Sequence, residues 1–260
     1  MTKRHQPKNE AVPEAANVSE PAPVPVTPDD LISASCPQCG ALLPRMLSRL
    51  DAIPGQEHLR RAVTVALTGA HSITFIGTGS NLPDALAFGR ISRAYGLTAY
   101  ATTPCRCGNH GDPFLTCSCT PEVIAAWHGR KEFRNALQSD IVVEPSITTV
   151  EQRMAHRRGR RGVTDEEMIA QAAEARRRPR PADELEGTSQ RLLTAALRQL
   201  QLSTEQVART LAVAQSIAQL ADVPSIGPAH LAEALQYRPR IAELPDVIEP
   251  ENPLNASKEE

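Results

Sequence analysis

Residues 102–124 of this chain read TTPCRCGNHGDPFLTCSCTPEVI. Four cysteines stand there as two Cys-x-Cys pairs, Cys105 with Cys107 and Cys117 with Cys119, on either side of a turn rich in Gly, Asn, Asp and Pro. This spacing can bring four thiolates around one tetrahedral Zn²⁺, which leaves no open position for a catalytic water. The pattern therefore predicts a closed, structural zinc site, with reduced structural thiols as the alternative.

A second cysteine pair, Cys36-Pro-Gln-Cys39, is half of a zinc knuckle, and the chain has no second Cys-x-x-Cys to complete it. Three interpretations stay open. The pair could bind metal with the same half-site of another subunit, share the main cysteine module, or hold no metal. His110 lies inside the main module and is interpreted as a turn residue, since four thiolates already suffice.

Composition narrows the class of protein. The chain has 260 residues and a net charge of -2, so it can bury a sizeable core and has no overall field for nucleic acid. Aromatic residues make up only 3%, which favours helices packed through small aliphatic side chains.

No apolar run of about 18 residues and no signal-peptide pattern is found, so we expect a cytoplasmic protein without a membrane partner. In that compartment paired cysteines are metal ligands more often than disulfides.

The periodicity of apolar residues predicts a small α/β part followed by a helical bundle. The predicted helices are 56–68, 82–94, 121–127, 164–178, 188–202, 203–220 and 228–237, and the predicted strands are 71–76, 97–102 and 140–143. We expect five segments: a disordered Pro-rich arm (1–34), a truncated α/β core with the cysteine module (35–145), a basic linker with the first bundle helix (146–187), a helical lid (188–240) and a loose acidic tail (241–260).

Three stretches resemble the magnesium-chelatase-like AAA+ family, in the branch of the competence protein ComM. They are LDAIPGQEHLRRAVTVALTGAHSITFIG (50–77), RISRAYGLTAYATTPCRCGNHGDPFLTCSCTPEVIAAWHGR (90–130) and LSTEQVARTLAVAQSIAQLADVPSIGPAHLAEALQYRPR (202–240). The resemblance implies an AAA+ core with a helical lid, and a role in DNA recombination or uptake.

The chain departs from the family at the phosphate-binding loop. A Walker A motif needs a second Gly, a Lys that reaches the phosphates and a hydroxyl that holds Mg²⁺. Counted from Gly77, those positions hold Leu82, Pro83 and Asp84. The cation is missing, an acidic residue replaces the hydroxyl, and proline removes a backbone donor.

The other ATPase residues that the resemblance implies are missing too. Only about a dozen residues join Gly79 to Arg90, with no acidic Walker B run. Thr103 replaces the sensor Asn, the segment Leu137–Asp140 has no arginine finger, and Glu205 replaces the lid arginine. Because phosphoryl transfer depends on positioning and charge stabilisation, we expect no catalytic residues and no hydrolysis by the chain alone. ATP and Mg²⁺ are not expected as cofactors, and the chain is interpreted as a degenerate, shortened member.

Two weaker candidate sites remain. Gly55, Gln56 and the loop Gly77-Thr78-Gly79 could keep a shallow, vestigial anion nest, although a plain helix–strand–turn is the favoured interpretation.

The second is a basic stretch, residues 153–180, which holds nine arginines against four acidic residues, a local charge of +5. Its candidate contacts to a DNA or RNA backbone are Arg157, Arg158, Arg160 and Arg161. A solvated linker is the alternative, since no aromatic platform accompanies the charge.

The sequence thus predicts a non-catalytic, zinc-stapled interaction or regulatory module. Its partner would be an active AAA+ relative, another protein or a second copy. The alternatives are a nucleic-acid-binding protein that uses Arg153–Arg180, and an ATP-binding protein with residual or partner-dependent hydrolysis.

Overall fold

A computed structural model describes residues 49–159, 162–185, 187–200 and 202–238. The predicted arm and tail, the Cys36–Cys39 pair, Arg160 and Arg161 lie outside these residues.

The described residues form a mixed α/β fold in which helices predominate, as the sequence predicts. After a short 3-10 turn at Leu50–Ala52, the helices are α1 (Glu57–Gly69), α2 (Leu82–Ala94), α3 (Pro121–His128), α4 (Lys131–Leu137), α5 (Val150–Arg157), α6 (Asp165–Arg177), α7 (Gly187–Leu200), α8 (Thr204–Leu220) and α9 (Pro228–Gln236). The strands are β1 (Ile73–Ile76), β2 (Ala99–Thr102) and β3 (Ile141–Val143). None of the described helices has the length and apolar character that crossing a membrane requires.

Two helices are absent from the sequence prediction. Helix α4 buries only Phe133 and Ala136, which is too few for a clear period. Helix α5 buries none of its residues, and its arginines suggest a linker. A capping box between Thr149 and Gln152 nevertheless starts α5, because each side chain satisfies a backbone N–H of the other.

The sheet is parallel, with strand order β2-β1-β3. The central Phe75 lies beside Ala101 on one neighbour and Val143 on the other. The predicted strand at 97–102 begins two residues late, at Ala99, because the Leu97 amide instead closes the end of α2 by donating to Ser92 O at 3.1 Å.

One hydrophobic core joins the α/β part to the helical part. Phe75 of β1 packs on Phe88 of α2, with ring centroids 5.5 Å apart. Helix α1 packs against both α6 and α8, so Met168 and Ile217 are buried in the same cluster as the sheet residues. Parallel sheets need cover on their faces, and here the helical part supplies a share of it.

The buried carboxylate of Asp165 holds three segments of the fold together. Asp165, at the start of α6, accepts hydrogen bonds from the amides of Leu50 (2.7 Å) and Asp51 (2.8 Å), and from the Tyr95 hydroxyl. The entry turn, the end of α2 and the start of α6 therefore meet at one side chain.

Candidate metal centre and the loop after β1

The four cysteines predicted as ligands lie together. The Sγ atom of Cys105 is 3.4 Å from that of Cys107 and 3.7 Å from that of Cys117, and the latter two are 3.6 Å apart. With Cys119, all four sulfurs lie within 4.8 Å of one another. A tetrahedral Zn²⁺ with bonds of about 2.3 Å would hold its sulfurs about 3.8 Å apart, so the arrangement fits a metal ion.

Helix α3 holds the cysteine module (residues 103–119) in place. The indole N–H of Trp127 donates to Thr103 O at 2.9 Å, and His128 Nε2 lies 2.7 Å from Pro104 O. Both carbonyls directly precede Cys105, which is fully buried. Trp127 and His128 therefore connect the end of α3 to the module.

The electrostatics of the cluster favour a bound cation. Hydrogen bonds from the backbone at Asn109 and Ser118 lower the pKa of the Cys107 thiol to about 5. The backbone at Cys119 acts to lower the pKa of Cys117, but desolvation and the neighbouring sulfurs outweigh it and raise that pKa to about 12. The thiols therefore oppose one another's ionisation, and a metal ion would relieve this opposition by neutralising the thiolates.

The loop after β1 is a tight turn that satisfies its own backbone. The Thr78 amide donates to Asn81 Oδ1 at 2.8 Å. The amides of Asn81 and Leu82 donate back to Thr78 O at 3.0 and 2.6 Å. Helix α2 therefore starts directly after the turn.

The remaining two amides of this loop bind the cysteine module. Gly79 N donates to Gly108 O at 3.0 Å, and Ser80 N donates to Asp112 Oδ2 at 2.7 Å. Each amide from residue 78 to residue 82 thus has an acceptor within the protein. A phosphate at this loop would have to displace those acceptors.

The Asp112 carboxylate occupies the position of an anion at this loop. Its Oδ1 also accepts from the Ser80 hydroxyl at 2.8 Å and from the amides of Phe114 (2.8 Å) and Leu115 (2.9 Å). Desolvation acts to raise the pKa of this carboxyl, but the hydrogen bonds from Ser80 and Phe114 outweigh it and hold the pKa well below its usual range. The carboxylate is therefore ionised at neutral pH.

The loop glycines serve close packing. A Cβ at Gly77 would lie 2.7 Å from Ala85 Cβ and 2.8 Å from Leu82 Cα, and a Cβ at Gly79 would lie 2.7 Å from Leu115 Cδ1. Position 77 therefore has no room for a side chain because α2 lies against it. Position 79 has none because the cysteine module lies on it.

Gln56 lies near the start of α2 as a buried polar bridge. Its amide nitrogen donates to Ser146 O (2.7 Å) and Asp84 Oδ2 (3.0 Å), and its oxygen accepts from Ser146 N at 3.0 Å. Burial raises the pKa of the Asp84 carboxyl. The neighbouring Gly55 has a φ of +69°, a left-handed conformation that glycine adopts freely. All of Gln56's bonds are thus made within the protein.

A cleft of about 780 Å³ lies at the carboxyl ends of β1 and β3. Such ends are a common place for ligands in open parallel sheets. Of its charged lining residues, Arg61 and Glu233 pair with each other at 2.9 Å. The ring of His58 lies 2.8 Å from the backbone oxygen of Glu144. The cleft borders Thr78.

Some of the described arginines of the basic stretch are bonded to other parts of the fold. Arg157 and Arg158 are exposed at the end of α5. Arg176 instead donates to Leu67 O, and Arg178 pairs with Glu174 at 2.9 Å and donates to carbonyls at the end of α8.

Sequence reasoning missed Asp112 and the exposed pair Phe114 and Leu115. The fragment Gly-Asp-Pro-Phe does indicate the local bonds of Asp112, because an Asp side chain often accepts from backbone amides two or three residues later. Its bonds to Ser80, 32 residues earlier, have no such local signal.

Residues 138–238 match the family described as magnesium chelatase, subunit ChlI C-terminal. Over this part, the chain is similar to the magnesium chelatase family, as the sequence resemblance implies. No curated protein matches the chain.

Proposed function

We propose, on the premise that residues 138–238 form a magnesium-chelatase-like C-terminal domain, that this chain is a non-catalytic, zinc-stapled AAA+ remnant that works by binding a protein partner. Its cysteine module would hold the metal as a structural staple, with Cys105, Cys107, Cys117 and Cys119 as ligands. A staple suits a chain with a three-stranded sheet, since a small core supplies little burial.

One observation carries the non-catalytic part of the proposal: the loop after β1 is occupied by the protein itself. Asp112 and Asn81 accept the amides that a phosphate would need. Leu82, Pro83 and Asp84 stand where the family's motif requires Gly, Lys and a hydroxyl. An ionised Asp112 would also repel a phosphate.

Calorimetric titration of the zinc-replete full chain with Mg-ATP tests this part. We expect no heat of binding up to high micromolar nucleotide. Saturable heat would overturn the proposal and favour the ATP-binding alternative, in which the cleft beside Thr78 would be the site. Titration with Mg-ADP and with Mg²⁺ alone separates nucleotide binding from metal binding.

The cysteine module also offers a contact surface for a partner. Phe114 is 72% exposed and Leu115 is 44% exposed. Their amides are held by Asp112, so the two apolar side chains project from an ordered loop. Fixed aromatic side chains lose little entropy on binding and dominate the energetics of many interfaces.

Nucleic-acid binding is the second candidate, favoured by the exposed Arg153 and Arg157 of α5 and the exposed Arg158 that directly follows this helix. Retention of the full chain on duplex DNA would then fall with salt and fall further in R157A/R158A. The matched control is R191A/R198A, which removes two exposed charges from α7. Equal retention of both variants and the parent would exclude α5 as the contact.

A further inference from the structure

Strand β2 is an edge of the sheet with an unfilled side. Ile73 N donates to Thr98 O and Gly77 N donates to Thr102 O, so these carbonyls face β1. By the alternation of a strand, the backbone groups of Ala99 and Ala101 face the opposite side. Among the described residues no strand pairs there.

Two described side chains bond to the ends of this edge. Arg93 donates to Ala99 O at 2.9 Å, and Trp127 donates to Thr103 O at 2.9 Å. Ala101 lies between them. Open edges are sites of strand addition unless something covers them.

A groove of about 560 Å³ lies along this edge and is lined by Tyr100, Ala101 and Thr102 of β2. Leu82 and Leu86 of α2 form one wall, and Phe133 and Ala136 of α4 form the other. Leu86 remains 53% exposed and Tyr100 43% exposed. A strand between these walls would bury apolar side chains on both of its faces.

We propose that residues 29–34 of this chain, Asp-Asp-Leu-Ile-Ser-Ala, add to β2 as a fourth strand. Leu31 and Ile32 are adjacent, so in a strand they would point to opposite walls of the groove. The run from Asp29 to Cys36 has no proline, whereas prolines interrupt residues 21–28. A segment without proline keeps a backbone N–H at every residue, so each can donate a hydrogen bond to the edge strand.

Charge selects this segment over a second copy of the chain. Arg93 and Arg130 both line the groove, against the single acidic residue Glu132. Asp29 and Asp30 complement the two arginines, and residues 9–36 contain five acidic and no basic residues. A second copy would bring its own arginines to the same edge, where like charges repel.

The chain enters the described fold close enough to deliver the segment. Leu50 N and the Tyr95 hydroxyl meet at Asp165, and Tyr95 precedes β2 by four residues. Fourteen residues separate position 34 from Arg49. A linker of that length spans about 20 Å on average and more than twice that when extended. The inference does not depend on whether the chain binds nucleotide.

Hydrogen–deuterium exchange on the full chain tests the added strand. Within residues 99–103, we expect the amides of Ala99, Ala101 and Thr103, which face away from β1, to exchange at least about tenfold faster in L31D/I32D than in the parent. The control V24D/V26D places the same charges on the same segment outside the proposed strand, and should match the parent. A synthetic peptide of residues 27–36, added to L31D/I32D, should restore slow exchange at 99–103.

Two results would overturn the proposal. One is equal exchange at 99–103 in the parent and L31D/I32D. The other is protection that disappears on dilution of the parent, which would assign the edge to a second copy. Exchange elsewhere in the core reports whether each variant remains folded.

Discussion

At the scale of single residues, position in the fold decides chemistry more than residue type does. His71 Nε2 lies 2.8 Å from Ser216 Oγ, and its Nδ1 lies 3.9 Å from Asp140 Oδ2. The same order of groups activates serine nucleophiles in hydrolases. Here Ser216 is only 3% exposed and its hydroxyl bonds Ala212 O, so no substrate reaches it. The cluster joins α8 to the start of β1.

His71 should make the fold sensitive to acid. Burial lowers the pKa of His71; the nearby Asp140 opposes this effect, and Arg180 and Arg238 add to the lowering. The unfolded chain therefore binds more protons below pH 6.5, the ordinary pKa, and the free energy of unfolding falls as pH decreases from there to the folded pKa. The slope is at most about 1.4 kcal/mol per pH unit.

Urea unfolding at a series of pH values, with zinc in excess, measures this slope. We expect H71Q to reduce it and H156Q, on the helix α5 that buries no residue, to keep it. An unchanged slope in H71Q would show that His71 does not carry the effect.

The limit of sequence reasoning is also visible in single residues. The four cysteine ligands are predictable because their spacing is local and their chemistry is specific. The role of Asp112 is not, because its partner Ser80 comes from another element. The glycines at residues 77–79 leave an anion nest and a plain turn both open, because glycines arise from close packing as well as from phosphate binding.

At the scale of elements, the starts of several helices are predictable because capping residues close to each start determine them. Capping boxes at Thr164 and Ser203 begin α6 and α8 at the predicted places, and a Pro in the first turn begins α3. Helix α5 is not predicted from the sequence, because none of its residues is buried and its sequence therefore shows no helical spacing of apolar residues. The register of the sheet follows from packing between distant segments and has no local signal.

Gly77 should be required by the contact between β1 and α2, whether or not nucleotide is present. G77A would place its Cβ 2.8 Å from the backbone of Leu82, and overpacking of this kind costs about 1–3 kcal/mol of unfolding free energy. The matched control is G187A at the start of α7, where an added Cβ meets nothing within 4 Å. Urea unfolding should separate the two variants by this amount, and equal stabilities would show that the loop relaxes.

At the scale of the whole molecule, the cysteine module contacts several elements of the fold. It follows β2, rests on the loop after β1 through Asp112 and Leu115, and is held by α3. The hydrophobic core of the fold includes residues of α6 and α8, which lie in the part of the chain that matches the magnesium chelatase family. Metal binding is therefore expected to stabilise the entire fold and not the module alone.

The most direct test is thermal unfolding of the zinc-loaded full chain, alone, with a chelator and with millimolar Mg-ATP. If metal has replaced nucleotide as the stabilising ligand, removal of metal should lower Tm by about 10 °C or more, and Mg-ATP should leave Tm unchanged. Metal analysis of the same sample should show one zinc for the four cysteines. A Tm that rises with Mg-ATP, or that does not respond to the chelator, would contradict this account.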